Sequence, residues 1–210
     1  MRGLIAPMAL AVSLAMAGAA YAEGLSGFTN VEAEGLFKVE VSRGDYAVNL
    51  TGAQMGSVSM RVRNGTLRMW QNDQNWLRDR TLLDAVAHVT TPTLGSVKST
   101  RGALVEVDLG RVDALSVEAS TFGRVLLKGH CERLEVKASL DADVNAQDFS
   151  CDAVTADATT RAKVQVRATE QINANATWAG EISVSGEPRQ RATHTEAAGK
   201  VTFVAAQSDS

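Results

Sequence analysis

Histidine is scarce in this sequence, and its absence from the usual spacings excludes a good deal. The three present, His88, His130 and His194, lie far apart with no H-x-x-H or H-E-x-x-H pattern, so no metal site is expected. Two cysteines alone cannot assemble a zinc site. No G-x-S-x-G elbow occurs, and the glycines fall at turns rather than in a phosphate-binding loop, so neither a catalytic serine nor a cofactor is expected. An excess of basic charge is missing too. With Arg2 set aside, 20 basic side chains stand against 24 acidic ones, a net charge of −4. That balance argues against nucleic acid and anionic membrane surfaces as partners. Aromatic residues make up only 5% of the chain, while Ala, Val, Thr, Ser and Gly abound, a composition suited to thin, tightly stacked β layers.

Long apolar runs are absent after residue 22. The opening stretch has one basic residue, Arg2, an apolar run from Leu4 to Ala19, and an A-x-A site at Ala20-Tyr21-Ala22. This is the pattern of a cleaved secretory signal. It is softer and shorter than the roughly 20 strongly apolar residues of a membrane span. The expectation is a mature chain beginning at Glu23 and residing in the periplasm or on the cell surface of a bacterium. Residues 23–204 read as one domain, with 205–210 a disordered tail.

What the chain does have is a repeat. Segments starting at Leu115, Leu134, Val154 and Ile172 align at steps of 19, 20 and 18 residues. A second apolar set, Val125-Leu127, Val144-Ala146, Val164-Val166 and Ile182-Val184, keeps the same step, with small residues between the sets at Gly123, Ala142, Ala162 and Gly180. A period near 20 with strand alternation inside each unit predicts a stacked-coil solenoid of about five coils. The fold class is therefore all-β: a single-stranded parallel β-helix. Coils and a closing strand occupy 91–204, and a layer of short strands occupies 23–90. Asn64-Gly65 between alternating runs predicts a hairpin, because both turn residues need positive φ.

The early strands also carry a likeness. Gly27 to Gly35 (GFTNVEAEG), Phe37 to Val41, Gly44 to Val48, Asn64 to Leu67, Val89 to Leu94 (VTTPTL) and Gly180 to Pro188 resemble the bacterial GIN domain, the head domain ascribed to autotransporter adhesins. The resemblance spans nearly the whole mature chain and implies a secreted, β-helix-like fold. Its motifs are structural, so it carries over no active-site residues. This chain departs from the usual pattern in a longer segment from Met69 to Leu83.

In a parallel solenoid equivalent residues stack about 4.8 Å apart. Outward columns should then read Arg124, Asp143, Lys163, Glu181 in alternating sign, and Glu118, Lys137, Asp157 likewise, ending in the neutral Asn175. A hydroxyl column should run through Ser120, Ser139, Thr159 and Thr177. Cys131 and Cys151 are 20 residues apart, each three residues before its coil's first core position, with Val112 and Thr169 expected in the flanking coils. Two readings fit the pair: a disulfide between neighbouring rungs of an exported protein, or two reduced residues in a core column.

Because the coil charges are committed to one another, a site is expected where the repeat breaks. The candidate binding residues are Trp70, Asn72, Asp73, Asn75 and Trp76, two indoles with amide and carboxylate groups between them, suited to a glycan or an envelope protein. The corner at Gln147 to Ser150 and the loop from Glu187 to Ala198 also interrupt the pattern. Arg43-Gly44-Asp45 reads as a turn between strands. The function expected is a non-enzymatic, adhesin-like envelope or surface interaction module of undetermined oligomeric state. The competing readings are a polysaccharide-processing enzyme, for which Asp141, Asp143, Asp148 and Asp152 are the densest acidic patch, and a periplasmic accessory or sensor protein.

Overall fold

The computed structural model describes the backbone of Ala20–Tyr21 and residues 25–72 and 81–204. Its strands in chain order are β1 (Ala20–Tyr21), β2 (Asn30–Glu34), β3 (Lys38–Arg43), β4 (Ala47–Thr51), β5 (Val58–Arg63), β6 (Thr66–Gln71), β7 (Val86–Thr91) and β8 (Ser96–Thr100). Four long strands follow, β9 (Leu104–Ser120), β10 (Arg124–Ser139), β11 (Asp143–Thr159) and β12 (Lys163–Thr177), then β13 (Glu181–Ser185), β14 (Gln190–Glu196) and β15 (Lys200–Val204). They form a β-solenoid of about five turns.

Each long strand serves two rungs. Its first half lies on one face of the coil and its second half on the other, with a bend between them. One face stacks β5, β6, β2, β8 and then the second halves of β9 to β12, ending in β14. The other stacks β1, β4, β7, β3 and the first halves of β9 to β12, ending in β13 and β15. The short early strands are rungs of the same stack, out of sequence order: β2 lies between β6 and β8, and β3 between β7 and β9. From β2 on, the chain thus begins inside the stack, adds β5 and β6 on one face and β4 and β7 on the other outward of it, and returns to extend the other way.

The predicted core columns are buried throughout. Leu115, Leu134, Val154 and Ile172 form one, and Val125, Val144, Val164 and Ile182 another. Two kinds of corner join the faces. At the tight corner both central residues have positive φ, as in Leu140-Asp141 (53° and 60°), Thr160-Arg161 (53° and 63°) and Trp178-Ala179 (49° and 61°). That conformation costs a non-glycine residue roughly 1–2 kcal/mol. Stacking offsets part of it, because each corner's free amide bonds the next rung: Phe122 N donates to Leu140 O at 3.1 Å, and Asp141 N to Thr160 O at 3.1 Å.

The glycines that follow the Thr121-Phe122 and Trp178-Ala179 corners are required by contact. A Cβ on Gly123 would fall on the Ser99 carbonyl oxygen, and one on Gly180 on the Ala158 carbonyl. Gly123→Ala should therefore lower stability by about 1–3 kcal/mol, read as a lower urea midpoint at unchanged slope. A loss below the error of the measurement would show that the rungs can separate freely there.

The opposite corner has no turn. The strands run on through it with register shifts, between Lys128 and His130 of β10 against β9 and between Ala146 and Ser150 of β11 against β12. Bulges of this kind bend a strand without breaking it. Phe149, in the stretch whose irregular spacing marked a candidate site, is fully buried opposite Gly129. Gln147 to Ser150 is thus a core-filling bulge within β11.

The cysteines meet here. Cys131 and Cys151 are disulfide-bonded across adjacent rungs, with Cα atoms 4.5 Å apart. Val112 occupies the expected preceding position, but Ala168, not Thr169, follows Cys151, because the bulge in β12 shifts the register.

The outward columns stack in the expected register, and Lys200 extends the first to a fifth alternating charge. Direct pairing is selective. Lys98 meets Glu118 at 2.8 Å, Asn175 donates to Asp157 at 3.1 Å and Thr177 to Thr159 at 3.1 Å, whereas Lys137 turns to Glu135 of its own strand at 2.6 Å. Exposed long side chains gain little from closing such pairs, so alternation here avoids repulsion more than it creates bonds.

The ends of the stack differ. The early end carries antiparallel strands, β5 on β6 and β4 on β7. At the late end β14 is exposed along its whole length, and polar Arg191, Thr193 and Thr195 stack over Ile172, Ala174 and Ala176. Arg191 also lies over the Phe203 ring, 4.6 Å from its centroid. A polar terminal rung is how a solenoid ends its core in water.

Candidate functional site

The early end also holds the groove that contains Trp70. Asn64 and Gly65, with φ of 51° and 72°, make the predicted hairpin turn. The turn fixes the antiparallel register of β5 on β6: Arg63 faces Thr66, Arg61 faces Arg68 and Ser59 faces Trp70. Alternation buries Leu67 and Met69 and turns Arg68 and Trp70 outward. The next strand inward, β2, adds Glu32 beside Arg68 and Glu34 beside Trp70.

Two adjoining depressions result, both bordered by Arg61 and Arg68. One, of about 350 Å³, is lined by Glu34, Trp70, Gln71, Asn72 and Arg101 besides. The other, of about 250 Å³, adds Glu32, Arg63, Asn64 and Thr66. The Arg61 guanidinium lies over the Trp70 ring, 5.8 Å from its centroid. Glu34 accepts from Arg68 at 2.8 Å and also pairs with Arg101, while Glu32 lies 3.9 Å from Arg68. Glu34 first, and Glu32 after it, hold the Arg68 guanidinium above the usual arginine range. Asn72 is braced by the Ser59 hydroxyl, which donates to its Oδ1 at 2.6 Å. The groove thus combines an indole face, amides and guanidinium groups on rigid strands.

Of the predicted binding residues, the structure brings Trp70 and Asn72 together in this groove. Asp73, Asn75 and Trp76 lie outside the described residues. Arg61, Arg68, Arg101 and Glu34 were missed by residue-type reasoning, although the hairpin turn was legible. Once Asn64-Gly65 is the turn, position numbers on the two strands sum to a constant, which places Arg61 against Arg68.

Other features were weighed against the groove. A larger hollow of about 460 Å³ on the opposite face contains Glu40, His88, Glu106, Asp108 and Lys128. Glu40, Glu106 and His88 are already engaged: Lys38 bridges Glu40 at 2.8 Å and Glu106 at 3.1 Å, and His88 meets Glu40 at 2.9 Å. The Lys38 hydrogen bond holds the Glu40 carboxyl below its ordinary range, the wrong direction for a general acid. In the acidic patch, Asp141 is held by Arg161 through two bonds of 2.8 and 2.6 Å, and Asp152 accepts from Thr169 at 3.0 Å. Asp143 and Asp148 pair with Arg124 and Lys128 of β10, four residues and about 13 Å apart at ~3.3 Å per residue, farther than the roughly 5–9.5 Å of paired glycosidase carboxylates. Among the described residues, no group of three or more His, Cys, Asp or Glu is placed to hold a metal. Arg43 is tied down, bonding the carbonyls of Pro92 at 3.4 Å and Arg111 at 3.1 Å. Trp178, which no sequence signal singled out, is 66% exposed on a tight corner.

Residues 27–188 match the family model described as "Putative auto-transporter adhesin, head GIN domain". The chain belongs to the GIN head-domain family. Comparison with curated proteins gives no match. Among solved structures, a "putative adhesin" from Bacteroides fragilis aligns with a TM-score of 0.63 at 17% identity, covering 85% of this chain and 93% of that one. A "putative adhesin" from Parabacteroides merdae aligns at 0.50 and 15% identity, covering 86% and 93%. A "putative lipid binding protein" from Parabacteroides distasonis aligns at 0.50 and 14%, covering 85% and 93%. At these identities the GIN fold is what the likeness shows. Among the described residues, no helix is long and apolar enough to cross a membrane.

Proposed function

We propose that this GIN domain is an adhesin-like recognition module, exported through a cleaved signal at Ala22, that holds a glycan in the groove beside Trp70. One observation carries the reading: an indole with a guanidinium over its ring and hydrogen-bonding side chains around it, at a position the coil repeat does not require. Aromatic faces and amides are the groups that stack on and hydrogen-bond a sugar ring. The family's adhesin description and the engagement of the acidic residues by cations and hydroxyls both favour binding over catalysis.

The test is a glycan array combined with a pull-down from envelope extract, run on the native protein, Trp70→Ala and Trp178→Ala. Loss with Trp70→Ala and retention with Trp178→Ala is the expected pattern, with affinity falling about tenfold or more, as for loss of an aromatic stacking platform worth ~1–3 kcal/mol. The reverse pattern would move the site to the corner at Trp178. No effect from either would end the glycan reading.

A further inference from the structure

We infer that the groove's ligand is an acidic saccharide, a polymer bearing ring carboxylates, and that Arg61 and Arg63 read the carboxylate; this rests on the reading of the groove as a glycan site. The outward column that runs through the groove shows why. From Arg68 it passes through Glu32, Lys98, Glu118, Lys137 and Asp157, alternating in sign at every rung. At its early end the column closes on a like-charge step, where Arg61 stands directly opposite Arg68. Like charges facing each other across an antiparallel pair are destabilising, so the step is unfavourable for the fold alone.

The surroundings do not cancel this charge. Glu34 and Glu32 are engaged with Arg68 and Arg101. Among the described residues Arg61 and Arg63 have no carboxylate within ion-pair distance, and they project from the same face of β5, two residues and about 7 Å apart. Among the described residues the two depressions together contain four arginines against two glutamates, in a chain whose net charge is −3. A local excess of cations in an acidic protein selects an anion that approaches this groove and is repelled elsewhere. Guanidinium groups are suited to carboxylates through paired N–H bonds. Trp70, whose ring the Arg61 guanidinium overlies at 5.8 Å, supplies apolar surface for the sugar ring beside the cation, and Asn64, Thr66 and Asn72 supply partners for hydroxyls. Two uncompensated cations and one indole match a carboxylate on an otherwise neutral, hydroxylated ring. A nucleic acid, with a phosphate at every residue, would extend past the groove onto a net negative surface.

The experiment is calorimetric titration of the full chain with an oligouronate and with the same oligosaccharide after its carboxyls are reduced to alcohols. Both are run at low and physiological salt on the native protein, Arg61→Gln, Arg63→Gln and Trp70→Ala. The oligouronate should bind at least about tenfold more tightly than its reduced form, and the difference should shrink as salt rises. Arg61→Gln should remove most of that difference while leaving the thermal midpoint unchanged or higher, since it relieves the Arg61–Arg68 apposition. Trp70→Ala should weaken both ligands. Equal binding of the charged and reduced forms, or an Arg61→Gln, Arg63→Gln double variant that still prefers the oligouronate, would overturn the inference while leaving the glycan groove standing. Binding of neither form would overturn both. Stronger, arginine-dependent binding to single-stranded DNA or anionic vesicles, run in parallel, would assign the cations to a different partner and overturn the saccharide.

Discussion

Phe149→Ala should destabilise the fold by about 3–5 kcal/mol, the range for truncating a fully buried aromatic side chain. Phe149 has no exposed surface and lies where β11 bends without a turn, opposite Gly129. A Cβ on Gly129 would fall on the Gly110 carbonyl, so the neighbouring rungs pack backbone to backbone there and cannot supply a side chain to fill the space. At ~2–4 °C per kcal/mol for a domain of this size, the melting temperature should fall by roughly 10 °C. Thermal and urea unfolding followed by circular dichroism would check it, with Phe149→Leu expected to lose much less. A loss under about 1 kcal/mol for the alanine variant would mean that the bend collapses around the gap and that Phe149 does not hold it open.

Reduction of Cys131–Cys151, or the Cys131→Ala, Cys151→Ala double variant, should cost about 3 kcal/mol. The bridge closes a loop of sequence separation 20, and chain-entropy arguments assign roughly that amount to a loop of this length. Its position adds a second reason. The register of β10 on β11 shifts between Leu126 and Lys128, and that of β11 on β12 shifts twice around Cys151. Hydrogen bonds specify register least where the ladder is interrupted, and the covalent bond ties neighbouring rungs together at that place. The measurement is calorimetric unfolding with and without reductant, with alkylation confirming that two thiols appear only after reduction. An unchanged transition would show the bulge register to be set by packing alone. Such a bond persists in an oxidising compartment, which agrees with the export expected from residues 1–22.

Much of the fold was legible because a solenoid writes its contacts into its spacing. Leu115, Leu134, Val154 and Ile172 share one chemical environment, so they share residue type, and the 20-residue separation of the cysteines placed them on adjacent rungs. The hairpin at Asn64-Gly65 was legible for a local reason, the positive φ of both turn residues. The early rungs were not. Val31 meets Leu67 on one side and Val97 on the other, at separations no repeat announces. Phe149 looked like an interruption because a bulge adds a residue without ending a strand. The candidate site was half visible: Trp70 and Asn72 stood out by type, but of the arginines around Trp70 only Arg68 shares its strand, while Arg61 comes from β5 and Arg101 from a corner.

The sequence by itself determined the coil, its core columns, the placing of its cysteines on adjacent rungs and the alternation of its outward charges, because each follows from one residue type recurring at one interval. Only the tertiary structure decided where the first strands enter the stack, that the bend is a filled bulge rather than a corner, and that the alternation closes on a like-charge step at Arg61. Those depend on which non-repeating strands lie side by side, and that is settled by burial of the whole core rather than by any local period.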